Sequence, residues 1–282
     1  MRIAIPKETH PGENRVPITP DHAKKLCRLG AQLVIESGMG IGSGFTDSEY
    51  EEAGATVSQD RNELISSADV LLRLRKPELD EIANMKNGAI HISYLDPFNE
   101  HALVNAFKDA GVTAISMEMI PRTTRSQKMD ALSSQANLAG YQMVIEAAMA
   151  LPRIFPMMMT PAGTLKPANV FVIGAGVAGL QAIATAKRLG AKVTAFDTRP
   201  VVAEQVQSLG GKFLEIDLGE TGETAGGYAK ELTPEQVELQ RQAQKEVIAK
   251  SDVVITTAQV FGRKPPVLVT KDMVEGMAPG SV

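Results

Sequence analysis

Residues 170 to 197 constrain what this chain can fold into more than any other stretch. Val170-Phe-Val-Ile173 is an apolar, β-branched run of the kind a buried strand shows. Gly174-Ala-Gly176-Val-Ala-Gly179 follows at once, and helix formers continue from Leu180 to Leu189, where Gly190 closes the run. A second strand-like run, 193–197, ends in Asp197. Three glycines at this spacing say little alone. Set between a strand and a helix, with an acid about 20 residues further on, they predict a βαβ unit that binds a dinucleotide. Gly174 permits the tight turn, Gly176 lets backbone approach a pyrophosphate, and Gly179 lets helix pack closely on strand. The helix start at Val177 and Ala178 offers unpaired N–H groups and the positive end of the helix dipole to phosphates. Asp197 suits the hydroxyls of an adenosine ribose and repels a 2′-phosphate, which favours NAD(H) over NADP(H). Arg199, two residues on, is the type of residue that can take a 2′-phosphate, but it reads here as a rim residue near the adenosine.

Strand and helix patterns alternate along the rest of the chain. Strands are expected at 3–5, 33–36, 70–74, 89–94 and 113–117, then at 170–173, 193–197, 212–216 and 253–257. Thr19-Pro20 opens a helix that Gly30 closes, and further helices are expected over 99–110, 177–189, 235–250 and 271–277. This alternation predicts the α/β class, with two Rossmann-like lobes of mostly parallel sheet separated by a nucleotide-binding cleft. The lobes span 1–133 and 167–282. An alanine-rich helix over 134–151 and a connection over 153–166 join them, and Met157, Met158 and Met159 in that connection read as packing residues. Residues 279–282 look like a strand just beginning, so the second lobe is expected to be cut short, with an exposed sheet edge.

Composition narrows the function classes. With 44% hydrophobic and 22% charged residues the chain is an ordinary globular protein, and a formal net charge of −4 argues against nucleic acid as an electrostatic partner. No apolar run approaches the ~20 residues of a spanning helix, so direct membrane insertion is not expected. Cys27 is the one cysteine, and it reads as a small apolar helix residue. His10, His22, His91 and His101 form no metal pattern; His91 falls within a strand and reads as a core residue. No acid–base pair emerges, as suits an enzyme whose chemistry a cofactor carries.

Two polar segments remain. Arg122-Thr-Thr-Arg-Ser-Gln127-Lys-Met-Asp130-Ala-Leu-Ser133 is either a solvated turn or a ligand-contacting loop. In the second case Arg122 and Asp130 pair to brace it, and Gln127 offers a carboxamide both donor and acceptor. The glycine-rich insertion 218–230, with Tyr228 at its tip, is either disordered or a lid.

Several motifs converge on one family. Met1-Arg-Ile-Ala-Ile-Pro-Lys-Glu8 and Glu13-Asn-Arg-Val-Pro-Ile-Thr-Pro20 resemble the shared start of alanine dehydrogenases and the NAD(P) transhydrogenase alpha subunit. The loop 121–135, the run Phe155-Pro-Met-Met-Met-Thr160, the glycine motif and the segment 223–231 resemble the transhydrogenase branch. The resemblance implies the NAD(H)-binding domain of a proton-translocating transhydrogenase, which passes hydride from NADH to NADP+ held on a partner domain. It implies a homodimer, peripheral to the inner membrane on its cytoplasmic side through a membrane domain. By motif position, Gln127 contacts the nicotinamide, with Arg122, Asp130 and Ser133 shaping its loop. Gly176, Val177, Ala178 and Gly179 meet the pyrophosphate, and Asp197, Thr198 and Arg199 the adenosine. Gly227 and Tyr228 form a mobile loop, and Gln259 makes another cofactor contact. Two alternatives stand beside this reading. An alanine dehydrogenase would keep a substrate arginine, a lysine and a histidine; Arg15 is present, but the other two positions hold Arg75 and Asp96. A non-catalytic NAD-binding module would show a cofactor site without a substrate site.

Overall fold

The computed structural model describes residues 1–219, 221, 232–259, 262, 264, 265 and 267–282. They form two compact units, Met1–Ala131 and Leu132–Val282.

In the first unit, strands β1 (Arg2–Ile5), β2 (Gln32–Glu36), β3 (Thr56–Ser58), β4 (Val70–Leu72), β5 (Ile90–Ser93) and β6 (Thr113–Ser116) make one parallel sheet. Its order is β3-β2-β1-β4-β5-β6, the doubly wound order. Successive residues of β1 feed opposite faces, because side chains alternate across a pleat. Ile3 and Ile5 pack with Leu33, Ile35 and Tyr50, while Ala4 packs with Leu64, Leu71 and Phe107. Helices cover both faces, which is why the strands read as unbroken apolar runs. Tyr50 is fully buried, and its hydroxyl donates to the Ile18 carbonyl at 2.8 Å. His91 is buried as the sequence suggests, with Nε2 2.9 Å from Ser93 Oγ and its ring against Phe107. Sequence periodicity passes over β3 and the helices Asp47–Glu52, Arg61–Ser66 and Leu79–Ala83. Each helix is shorter than two turns, too short for a 3.6-residue pattern to register. Their caps are nonetheless legible: Thr46 with Glu49 forms a capping box, and Asp60 accepts from the Glu63 N–H at 2.9 Å.

The connection over 153–166 departs from expectation. It contains an antiparallel hairpin of β7 (Met158–Thr160) and β8 (Gly163–Leu165), with Met158 opposite Leu165. Met157, Met158 and Met159 are 65%, 47% and 82% exposed, so they are not packing residues within this chain. The ribbon joins no other strand among the described residues, which leaves its apolar side chains facing outward.

The second unit takes in helix Ala131–Ala150 from Leu132 onward and is built on β9 (Asn169–Ile173), β10 (Lys192–Phe196), β11 (Lys212–Phe213) and β12 (Val253–Thr256), parallel in the order β11-β10-β9-β12. Val170 and Val172 face one core, with Ala182 and Ile183 of helix Val177–Arg188 and Val144 of helix Ala131–Ala150. Phe171 and Ile173 face the other, with Ile248 of helix Pro234–Ile248. Beside β12, the Val282 N–H donates to the Asp252 carbonyl at 3.0 Å and its carbonyl accepts from the Val254 N–H at 2.8 Å, so the ladder begins where the 279–282 run suggests. Among the described residues no helix is long and apolar enough to cross a membrane.

Candidate functional site

The glycine motif lies where β9 hands over to helix Val177–Arg188, at the carboxyl end of the strands. Gly174 continues the ladder by donating its N–H to the Phe196 carbonyl at 2.8 Å, then turns with φ +98°. A Cβ on Gly179 would lie 1.8 Å from the Gly174 carbonyl oxygen, so that position admits no side chain at all. Around Gly176, by contrast, an added Cβ would meet nothing within 4 Å. The helix that follows has no side-chain cap and no acidic residue in its first turn. The motif therefore leaves open backbone and uncapped N–H groups on the side where a phosphate would approach, and the residues present fit the pyrophosphate of a dinucleotide.

Asp197 stands beside this turn. One carboxylate oxygen accepts from the Ala175 N–H at 2.8 Å, which ties the end of β10 to the glycine turn. Arg199 is bound across both oxygens: its backbone N–H and Nε donate to Oδ1 and its terminal nitrogen to Oδ2, each at 2.9 Å. Burial pushes the Asp197 carboxyl up, but the hydrogen bonds from Arg199 and Ala175 outweigh it and hold the group below the usual carboxylate range. Arg199 is thus clasped on Asp197 and is not a rim residue. Thr198 lies between them, half-buried.

Two further residues shape this site and escape a reading of the sequence. The Thr257 hydroxyl, just past β12, donates to the Gly174 carbonyl at 3.0 Å and props the turn from behind. Gly140, midway along helix Ala131–Ala150, meets the first turn of helix Val177–Arg188 so closely that a Cβ there would lie 2.2 Å from the Ala178 carbonyl oxygen. A glycine inside a long helix is the signal that points to such a crossing. Gln259 lies exposed beside Thr257, to whose carbonyl its N–H donates at 3.0 Å. Gly227 and Tyr228 fall outside the described residues.

Arg122, Gln127 and Asp130 belong to the first unit. A 3-10 turn, Thr124–Met129, carries Gln127 with its side chain exposed, and Arg122 Nε donates to Asp130 at 3.3 Å across the base of that turn. The brace expected from the sequence is therefore formed. Ser133 follows in the first turn of helix Ala131–Ala150.

The strand crossover of the first unit, between β1 and β4, is where a doubly wound sheet would offer its own ligand crevice. The loop after β1 begins Pro6-Lys-Glu and lacks the glycine spacing of 174–179, its one glycine being Gly12, at φ +79° in the turn that the Glu13 N–H closes on the His10 carbonyl at 3.1 Å. Instead Glu8 accepts the Leu74 N–H at 2.6 Å, and Glu13 accepts Nε of Arg15 at 2.7 Å and Nε of Arg75 at 2.9 Å. The Arg15 bonds, against the opposing effect of burial, bring the Glu13 pKa down to about 2. Both arginines are thus committed to one carboxylate that staples the two loops. Asp96, at φ +50°, accepts the Asn99 side-chain amide at 2.9 Å.

Comparison with known proteins gives matches along the whole chain. Residues 4–139 match the sequence model described as "Alanine dehydrogenase/PNT, N-terminal domain", and residues 143–282 match "Alanine dehydrogenase/PNT, C-terminal domain". The chain is 49% identical to the first part of the NAD(P) transhydrogenase alpha subunit of Rhodospirillum rubrum, over all of this chain and 75% of that protein. It is 30% identical to the alanine dehydrogenase of Halomonas elongata, over all of this chain and 71% of that one. The crystal structure of transhydrogenase from Sinorhizobium meliloti superposes with a TM-score of 0.88 at 46% identity, covering 100% of this chain and 76% of that chain. Matched in order along both units, and aligned end to end with these relatives, the chain belongs to the alanine dehydrogenase/PNT family.

Proposed function

We propose that this chain is the NAD(H)-binding component of a proton-translocating NAD(P) transhydrogenase, an oxidoreductase that passes hydride from NADH directly to NADP+ held on a partner domain. The observation that carries this reading is the 49% identity, over the whole chain, to a transhydrogenase alpha subunit. Proton coupling would lie in a membrane domain of the same complex, on whose cytoplasmic side this component would sit as a dimer.

The reduced nicotinamide ring supplies the hydride when the cofactor is bound. This chain's residues bind and orient. The uncapped start of helix Val177–Arg188 and the open backbone at Gly176 hold the pyrophosphate, and Asp197 holds the adenosine ribose. The Arg122–Asp130 brace fixes the turn that presents Gln127 to a carboxamide. No proton is moved by a side chain, and the rate comes from holding donor and acceptor rings aligned.

The alanine dehydrogenase alternative needs a general acid–base and an arginine for a 2-oxo acid. Here Arg15 and Arg75 are engaged on Glu13, and Asp96 accepts from Asn99, which disfavours it. The test is hydride transfer from NADH to an NADP+ analogue, with and without a transhydrogenase NADP(H)-binding domain, and with pyruvate plus ammonia as control. Turnover only with the partner domain supports the proposal. NADH oxidation by pyruvate and ammonia alone refutes it, and binding without turnover in any mixture would indicate a non-catalytic module. Gln127→Asn is expected to slow hydride transfer more than it weakens NADH binding; equal losses in both would remove Gln127 from the nicotinamide.

A further inference from the structure

Four donors occupy the Asp197 carboxylate: the Ala175 N–H and three N–H groups of Arg199. A carboxylate offers about four lone-pair positions, so none is left for a ribose. The two backbone donors belong to the glycine turn and to the chain following β10, and neither can leave without breaking local structure. Of these donors, only the Arg199 guanidinium can swing away. The pair is well sheltered, with side-chain exposures of 7% for Asp197 and 14% for Arg199, so the fork is not dissolved by solvent screening.

We propose that Arg199 is a specificity-setting competitor for the nucleotide: its guanidinium takes the positions on the Asp197 carboxylate that ribose hydroxyls would use, and they must displace it. An unphosphorylated ribose repays the exchange with two O–H donors to the carboxylate. A 2′-phosphate has no donor to give and must draw Arg199 away while leaving two anions adjacent, so it is rejected. The same guanidinium becomes a 2′-phosphate receptor once the carboxylate is removed. This inference rests on the nucleotide site proposed above and adds to it the residue that tunes its affinity and selectivity.

A competitor lowers apparent affinity by the fraction of time the site is open. If the clasp is open about one part in ten, Arg199→Met, which keeps the apolar stem, tightens NADH binding about tenfold. Asp197→Ser is expected to weaken NADH and strengthen NADPH, and the double variant Asp197→Ser with Arg199→Met to lose that NADPH gain. The experiment is fluorescence titration of NADH and NADPH into the wild-type chain and the three variants, with melting curves to establish folding. Should Asp197→Ser not fold, the Arg199→Met titration decides alone. If wild type binds neither nucleotide, the site proposed above falls and this inference falls with it. If wild type binds NADH but Arg199→Met binds it equally or more weakly, the site stands and the competitor role is overturned. Retention of the NADPH gain in the double variant would likewise overturn it.

Discussion

Replacing Gly140 by alanine tests whether two helices of the second unit are set by backbone contact. Alanine is the better helix former by about 1 kcal/mol, so on local grounds the change should stabilise helix Ala131–Ala150. The new methyl carbon would lie 2.2 Å from the Ala178 carbonyl oxygen and 3.0 Å from its carbonyl carbon. A carbon atom needs roughly 1 Å more than the first of these distances. The obstacle is backbone in the first turn of a helix anchored by the Gly174–Gly179 contact, so no side-chain rotation relieves it. Overpacking costs about 1–3 kcal/mol, and a backbone obstacle belongs at the upper end. The net expectation is destabilisation by about 2 kcal/mol, or a fall in melting temperature of about 4–8 °C for a unit of this size. Because the displaced helix carries the N–H groups assigned to the pyrophosphate, the Kd for NADH should rise as well. Thermal melting and nucleotide titration of Gly140→Ala measure both effects. A variant that melts at or above the wild-type temperature would refute the reasoning, since helix propensity would then have outweighed the contact.

Two other outcomes follow from the same geometry. Burial, with a further push from Arg73, lowers the His91 pKa from 6.5 to about 3, so folding holds this histidine neutral. The stability it contributes is fully present above pH 6.5 and is lost as pH falls toward 3, by about 2 kcal/mol between pH 6.5 and 5. Denaturant unfolding across that range should show the slope in wild type and lose it in His91→Gln; an unchanged slope in the variant would assign it elsewhere. Thr257→Val keeps the shape but removes the donor to the Gly174 carbonyl, and should cost about 1–2 kcal/mol along with weaker NADH binding. Wild-type affinity in that variant would mean the prop from β12 does not position the turn.

Much of the fold and some of the site are legible in the sequence, because the signals are local. The strand, glycine turn, helix and acid of the 170–197 unit follow one another, and each glycine answers a short-range steric demand, so their order alone predicts the turn seen at Gly174 and the packing at Gly179. Apolar runs flanked by helical patterns announce parallel strands covered on both faces. The Arg122–Asp130 brace is readable for the same reason, its partners being eight residues apart.

Other features depend on which strands become neighbours. Thr257 reaches Gly174 across 83 positions of sequence because β12 is laid beside β9, and Glu8 meets Leu74 across 66 because β4 is laid beside β1. No periodicity encodes such pairings; they arise when chain entropy is spent on long-range sheet order. The exposure of Met157 to Met159 escapes the sequence for a related reason, since an apolar run does not reveal whether a second layer will cover it. Arg199 is the finest case. Two positions separate it from Asp197, yet only the folded backbone decides whether the guanidinium turns outward to the rim or back onto the carboxylate, and burial of the pair at the end of β10 turns it back.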